Sequence, residues 1–264
     1  MKILGILNIT EDSFSDGGKF LAPEAAVAHA EKLMADGADA VDVGAASSHP
    51  DAKPVSPEIE IARLAAVLLA LQAKDIPVSV DSFSSDVQRW ALAQGVAYLN
   101  DIHGFPDAAL YPELAKADCK LTVMHMVQER GVAVRTDVPP SAIFIRVTAF
   151  FDGRIAALTA AGIARERLIL DPGMGQFVGT DPENSLILLR RLSELKRYDL
   201  PLLVSVSRKG FLRKLTGQPI EKIGPASLAA ELFAASQGAD IIRTHDPAAL
   251  RDGLKLLESL KEPR

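Results

Sequence analysis

The residues of this chain that could do chemistry stand at the ends of apolar runs. Asn8 ends one run, Asp42 lies within a second, Asp81 ends a third and Asn100-Asp101 a fourth. His125 falls in a fifth, Asp171 ends a sixth, a seventh runs into Ser207-Arg208-Lys209, and an eighth carries Arg243 and His245. A carboxylate at the end of an apolar strand costs free energy unless a partner compensates it. One polar strand end is a cap or a loop bond. A succession of them points to groups that satisfy one another or that wait for a polar ligand. They divide by type. Asp81, Asn100 and Asp171 offer acceptors and an amide, which suit a flat heterocycle with several N–H donors and a carbonyl. Lys209, Arg243 and His245, together with Asn8, suit a phosphate or diphosphate. The sequence has no Gly-rich lysine loop and no His-Glu-x-x-His pair, so a metal caged by protein alone is not expected. A divalent ion carried in with a diphosphate is compatible with these residues.

These groups need a scaffold that brings strand ends together. Apolar β-type runs at 3–9, 38–44, 76–81, 97–101, 120–126, 168–171, 202–207 and 239–245 are nearly continuous in Val, Ile and Leu, as strands covered on both faces are. Helical patterns lie between them, at 23–36, 57–74, 84–94, 106–116, 141–161, 182–197, 224–237 and 247–261. Several open on a proline and stop at a glycine. Regular strand-helix alternation in 264 residues predicts an α/β protein built as a single-domain (β/α)8 TIM barrel spanning residues 1–264. A doubly wound open sheet is the competitor, and the missing Gly-x-Gly-x-x-Gly turn disfavours it. The long loops, 10–21, 45–56, 127–140 and 173–181, then all fall on the face where barrels build their chemistry.

Composition sets the outer bounds. Hydrophobic residues make up 48% and charged residues 24% of the chain, ordinary for a water-soluble domain. A net charge of −5 gives no electrostatic case for nucleic acid or an anionic membrane as partner. One cysteine, Cys119, leaves no internal disulfide. The first apolar stretch is too short to span a bilayer and no cleavage site follows it, so a cytoplasmic location is expected.

The motifs "GILNITEDSFSDGG" (5–18), "SVDSF" (79–83), "YLNDIHGF" (98–105), "VMHM" (123–126), "LILDPGMG" (168–175), "SVSRKGF" (205–211) and "IIRTHD" (241–246) resemble dihydropteroate synthase, in the family's order and from the first strand to the last. The resemblance implies condensation of 6-hydroxymethyl-7,8-dihydropterin diphosphate with 4-aminobenzoate, giving 7,8-dihydropteroate and diphosphate, with Mg2+ and commonly as a homodimer. Carried over by position, Asp81, Asn100, Asp171 and Lys209 match pterin-binding residues, with Asp171, Lys209 and Asp81 closest to the chemistry. Arg243 and His245 match the diphosphate pair, and Asn8 matches the asparagine at diphosphate and magnesium. Phe14 and Asp16 fall in the first mobile loop. Ser48 and His49 fall in the second, and Gln176, Phe177 and Gly210 border the aminobenzoate pocket.

Departures from the family pattern cluster on one side. The usual Gly-Gly-Glu-Ser-Thr-Arg-Pro run is here Gly44-Ala45-Ala46-Ser47-Ser48-His49-Pro50, without its glutamate and arginine. Gln176 stands where a phenylalanine is common, and Gly210 stands where a serine commonly follows the strand-seven lysine. Within the family, "GAASSHPDAKPVSP" (44–57) and "LILDPGMG" look most like the mobile sulfonamide-resistant synthases, which predicts an altered balance between aminobenzoate and sulfonamide. Three other functions share parts of the pattern: a methyltetrahydrofolate-binding methyltransferase barrel, an aldolase with Lys209 as Schiff-base nucleophile, and a pterin-binding protein without turnover. The cationic residues Lys209, Arg243 and His245 argue against the first. Blander roles are expected elsewhere. His125 is either a core histidine or part of the rim, Trp90 is packing, and the Leu250, Leu254, Leu257 and Leu260 stripe is a core or dimer face.

Overall fold

The structure is a computed structural model that describes residues 1–10, 22–49, 51–128 and 131–261. Its strands are β1 (Lys2–Asn8), β2 (Ala40–Gly44), β3 (Val78–Asp81), β4 (Tyr98–Asp101), β5 (Lys120–Met124), β6 (Leu168–Asp171), β7 (Leu203–Val204) and β8 (Ile241–Thr244). They pair in parallel in the order β6-β5-β4-β3-β2-β1-β8-β7. A parallel bridge between Leu170 and Leu202 joins the two ends, and Leu170 N–H donates to Pro201 O at 2.9 Å. The sheet therefore closes on itself as the expected (β/α)8 barrel, which removes the exposed edges an open sheet would present.

The helices are α1 (Pro23–Ala35), α2 (Pro57–Gln72), α3 (Ser85–Ala93), α4 (Tyr111–Lys116), α5 (Pro140–Ala160), α6 (Pro182–Arg190), α7 (Gly210–Thr216), α8 (Gly224–Ser236) and α9 (Pro247–Lys261). Proline occupies the first turn of α1, α2, α5 and α6, where its missing N–H costs nothing. Asp181 caps α6 by accepting from Glu183 N–H at 2.8 Å.

Three elements differ from the sequence reading. The helix expected over 182–197 ends at Arg190 and continues as a 3-10 segment, Leu192–Tyr198. Strand seven keeps only Leu203–Val204 in the ladder. Beyond it the chain turns, with Lys209 N–H bonded to Val206 O at 3.1 Å and Arg208 in the left-handed region at φ +56°. Helix α7 follows at once; seven residues are too few to show a helical period in sequence.

Two apolar regions hold the barrel. The larger lies between the strands' outer faces and the helices, with Leu7, Leu33, Leu64, Leu99, Leu114, Leu121 and Phe151 essentially inaccessible. The smaller plugs the inside of the barrel with Leu4, Ala40, Ile169, Leu203 and Ile241, against Tyr98. Because side chains alternate along a strand, the residues two and four places further on from this plug also face inward. The inward positions are therefore Ile6 and Asn8, Asp42 and Gly44, Asn100, Asp171 and Arg243. Register aligns them across strands: Gly44 pairs with Asp81, Asp81 with Asn100, and Met124 with Asp171.

Candidate active site

The alternation sorts neighbouring polar residues into two roles. Asn100 points into the barrel, whereas Asp101 points away and organises its own loop. Asp101 Oδ1 accepts from His103 N–H at 2.8 Å, and its Oδ2 accepts from Phe105 N–H and Gln88 Nε2, both at 2.9 Å. Likewise Met124 faces the cavity while His125 turns outward. His125 Nδ1 lies 3.1 Å from Pro172 O, and its ring meets Phe150 edge-on at 5.3 Å. Burial pushes the His125 pKa down to about 4, so its ring is neutral. Asp101 and His125 thus leave the predicted rim, and His125 is a core histidine.

Asn8, Asp81, Asn100, Asp171, Lys209, Arg243 and His245 line one cavity at the C-terminal mouth of the barrel, and Ser48, His49, Gln176, Phe177 and Gly210 line the same cavity. Phe14 and Asp16 lie outside the described residues. The floor is a network of charges. Arg243 Nε donates to Asp42 Oδ2 at 2.5 Å, and a terminal guanidinium nitrogen donates to Asp81 Oδ2 at 2.9 Å. Asp42 is fully buried, so Arg243 is its compensation. Burial works against the charge on Arg243, and Asp42 and Asp81 outweigh it, holding the guanidinium above its ordinary value.

Burial pushes the Asp171 carboxyl up to about 6, and the Gly173 N–H (2.8 Å) and Lys209 pull it back. Asp81 is pushed up to about 7 by burial, against the pull of Arg243. Lys209 is lowered to about 8 by burial and by Arg243, while Asp171 and Asp81 oppose that shift. Its ammonium also lies 4.5 Å from the centroid of the Phe177 ring, in cation–π range. Asn100 is 4% exposed, and its Oδ1 has no hydrogen-bond partner among the described residues. A buried amide oxygen left this way is an acceptor waiting for a donor.

Backbone geometry holds the floor in place. Gly173 has φ +73°, and a Cβ there would stand 2.3 Å from His125 O, so only glycine lets the loop after β6 turn beneath His125. At the far end of the cavity His245 receives Ser207. The Ser207 hydroxyl accepts from His245 N–H at 3.2 Å and lies 3.0 Å from its Nδ1. Burial, with Arg208 and Arg243 nearby, holds the His245 imidazole well below its ordinary pKa in the empty site.

The mouth is built from loops. Ser48 O accepts from Ala133 N–H at 3.0 Å, tying the loop after β2 to the loop after β5. Arg135 reinforces the tie with a two-pronged bond to Asp51, at 3.0 and 2.5 Å. His49 Nε2 stands 3.3 Å from the Gln176 amide, which brings in the loop after β6. Phe177 is 9% exposed and forms the wall, with Ile102, Met124, Met126 and Ala133 packed together around it. A Cβ added to Gly210 would meet nothing within 4 Å, so the start of α7 leaves open space at the mouth.

Sequence reasoning missed Ser205 and Arg213 here and left the partner of Asp42 open. Asp42 was visible as the one charge inside an otherwise apolar second strand, and its place opposite Arg243 follows from barrel closure. Ser205 and Arg213 line the cavity and had no sequence signal apart from their nearness to Lys209, whereas Ser207, which also lines it, stood at the end of the seventh strand with Lys209. Among the described residues no three His, Cys, Asp or Glu side chains gather as a metal cage.

Comparison with known proteins follows the same line. Residues 4–245 match the family of pterin binding enzymes. The chain is 62% identical to a type-2 dihydropteroate synthase of Escherichia coli, over 98% of this chain and 96% of that protein. It is 52% identical to a type-1 dihydropteroate synthase of the same organism, over 99% and 95%. The structure superposes on a Xanthomonas albilineans dihydropteroate synthase with 4-aminobenzoic acid at a TM-score of 0.89, with 35% identity over 100% of this chain and 94% of that one. It superposes on the same organism's enzyme in complex with 7,8-dihydropteroate at 0.85, with 34% identity over 100% and 94%. With strand ends, cavity and relatives in agreement, this chain belongs to the pterin-binding enzymes, among the dihydropteroate synthases.

Proposed function

We infer that this chain is a transferase of folate biosynthesis that joins 6-hydroxymethyl-7,8-dihydropterin diphosphate to 4-aminobenzoate, releasing diphosphate and forming 7,8-dihydropteroate. The observation that carries this reading is a single cavity holding an acceptor set (Asp81, Asn100, Asp171) and a cationic set (Lys209, Arg243), with His245 beside the latter. The pterin ring's N–H groups meet the first set, and the diphosphate meets the second. The unpartnered Asn100 Oδ1 supports the pterin end.

The C–O bond to diphosphate breaks with its electron pair leaving on the diphosphate, and positive charge spreads from the methylene into the ring. Asp171 and Asp81, held nearby in a buried site, stabilise that charge, and Arg243 and His245 hold the departing anion. This is stabilisation by groups already in position rather than by a covalent intermediate. Entry of a ligand with N–H donors favours the ionised form of both carboxyls over the protonated form that burial favours. The aminobenzoate nitrogen then forms the C–N bond and sheds its surplus proton. Phe177 and the tied loops limit water, which would otherwise capture the cation. Asn8 would hold magnesium through its amide oxygen together with the diphosphate, a donor set that suits a hard cation. When bound, the ion supplies neutralisation of diphosphate charge.

The finer features of the reading rest on particular surfaces. Reduced sulfonamide sensitivity is supported by His49, Gln176 and Gly210, all of which depart from the family pattern and line the mouth. A homodimer is supported by Phe233 on α8 and by Leu256 and Leu260 on α9, exposed at 40%, 61% and 72%. Leu250, from the same stripe, is fully buried. A cytoplasmic setting is supported by one free, buried cysteine, and no described helix is long and apolar enough to cross a membrane.

Diphosphate release in the presence of both substrates tests the reaction directly. The expected result is release that requires 4-aminobenzoate. A pterin that binds without release would establish a binding protein instead. Sulfamethoxazole inhibition equal to that of a sulfonamide-sensitive synthase would reject the resistance reading, and a monomer in sedimentation would reject the dimer.

A further inference from the structure

Among the described residues, the cavity holds a cation, Arg213, that the reaction at its floor does not use. Four Lys and Arg side chains among the described residues line it: Arg208, Lys209, Arg213 and Arg243. Arg243 is committed to Asp42 and Asp81. Lys209 is drawn to Asp171 and Asp81 and caps the Phe177 ring. Arg208 stands at the diphosphate end, where its charge bears on His245. Arg213 is exposed, and no described carboxylate pairs with it. The only acids lining the cavity among the described residues are Asp81 and Asp171 on the floor.

The backbone of Arg213 is nevertheless held in place. It lies on α7 between residues that hold the helix down. Phe211 and Leu212 are 4% and 6% exposed, Leu212 N–H donates to Lys209 O at 3.1 Å, and Lys214 Nζ is bonded to Thr180 O at 2.8 Å. Arg213 follows Gly210 by three positions, so both share a face of the helix. Gly210 leaves the space before that face empty.

We propose that Arg213 is the specificity-determining residue for the amine substrate and binds its carboxylate. This rests on the dihydropteroate synthase reading. The amine nitrogen must reach the carbon at the floor, and the para geometry of the ring then sets the carboxylate at the mouth, beside Gly210. No side chain at Gly210 can bond it. The planar guanidinium fork matches a planar carboxylate with two parallel bonds. A sulfonamide presents a tetrahedral sulfonyl group at the same place, whose oxygens carry less negative charge than those of a carboxylate, so the fork bonds it more weakly. Arg213 therefore favours the natural substrate over the drug.

The test compares wild type, Arg213→Ala and Arg213→Lys in steady-state turnover with dihydropterin diphosphate and either 4-aminobenzoate or its uncharged ethyl ester. For Arg213→Ala the KM for 4-aminobenzoate rises about 10- to 100-fold. Its kcat, the KM for the pterin diphosphate and the use of the ester stay within about twofold. Arg213→Lys restores charge without the fork and falls between. Sulfamethoxazole inhibition hardly moves, so the preference for substrate over drug collapses by the same factor. An unchanged KM in Arg213→Ala, or an equal rise for acid and ester, overturns the assignment. Calorimetric binding of 4-aminobenzoate to the protein with 6-hydroxymethylpterin and diphosphate makes the same comparison without turnover. A wild-type protein that binds the acid through Arg213 but releases no diphosphate would reject the reaction and keep the assignment.

Discussion

The floor and the mouth of the cavity are built on different principles. The floor comes from strand ends: Asp81, Asn100, Asp171 and Arg243 project from a closed parallel sheet, and their spacing is set by register. Every charge there has a charged neighbour, down to the buried Asp42 beneath Arg243. The mouth comes from loops. Ser48, His49 and Gln176 are held by a few exposed or half-buried bonds to the loops after β5 and β6. Preorganised charge needs the rigid part, because donors and acceptors that must rearrange during the reaction forfeit much of their effect. Selection between an aromatic acid and its mimics can be carried by loops, where side chains change without moving the sheet. The departures from the family pattern fall at the mouth, and the floor keeps the pattern.

Substitutions that separate floor from mouth follow from this, in order of expected size. Arg243→Ala leaves Asp42 and Asp81 without their cation, and breaking a buried pair from one side costs about 3–5 kcal/mol. Denaturant titration should show that loss, and pterin diphosphate binding should weaken far more than binding of the free pterin alcohol. Equal losses for the two ligands would remove Arg243 from the diphosphate end. Asp171→Asn keeps the shape of the floor and removes its charge, and the rate should fall on the order of 10²-fold or more. A rate within a few-fold of wild type would shift cation stabilisation to Asp81 alone.

The pH profile is the third way to test the floor. In the proposed reaction the stabilising form of Asp171 is the carboxylate, and burial pushes its pKa in the empty site up to about 6. Lys209 keeps its charge up to about 8. kcat/KM should therefore fall as pH drops through about 7 to about 6, where Asp81 and then Asp171 take up a proton, and fall again above about 8, where Lys209 loses its own. Arg243→Lys should move both limbs if the floor titrates as a unit. The smallest effect belongs to the mouth. Asp51→Ala removes the exposed tie to Arg135 and should change the KM for 4-aminobenzoate by only about twofold. A loss as large as that of Asp171→Asn would show that loop closure limits the rate, and the contrast between the two regions would then fail.

Some of this was legible in the residues and some was not. The alternation of apolar runs and amphipathic stretches predicted the barrel, because both carry strong periods that survive without knowledge of their neighbours. Helix α7 and the break after Arg190 escaped, since a seven-residue helix and a slide into 3-10 geometry hardly alter a hydrophobic pattern. Asp101 and His125 looked like rim residues as much as Asn100 and Asp171 did. Strand ends name two adjacent candidates, and only the direction of the alternation says which one enters the cavity.

By itself the sequence determined the repeating strand-helix plan, the list of polar groups at strand ends and the split between an acceptor set and a cationic set, because these depend on residue type and local period. Tertiary structure decided which of those groups meet. Closure of the sheet between Leu170 and Leu202 places Arg243, from the last strand, against Asp42 and Asp81, from the second and third. The turn at Arg208 aims Lys209 at the floor, and the packing of Phe211 and Leu212 leaves Arg213 at the mouth. The physical reason is that charges far apart in the chain interact only through distance and burial, and both are fixed by how the barrel closes.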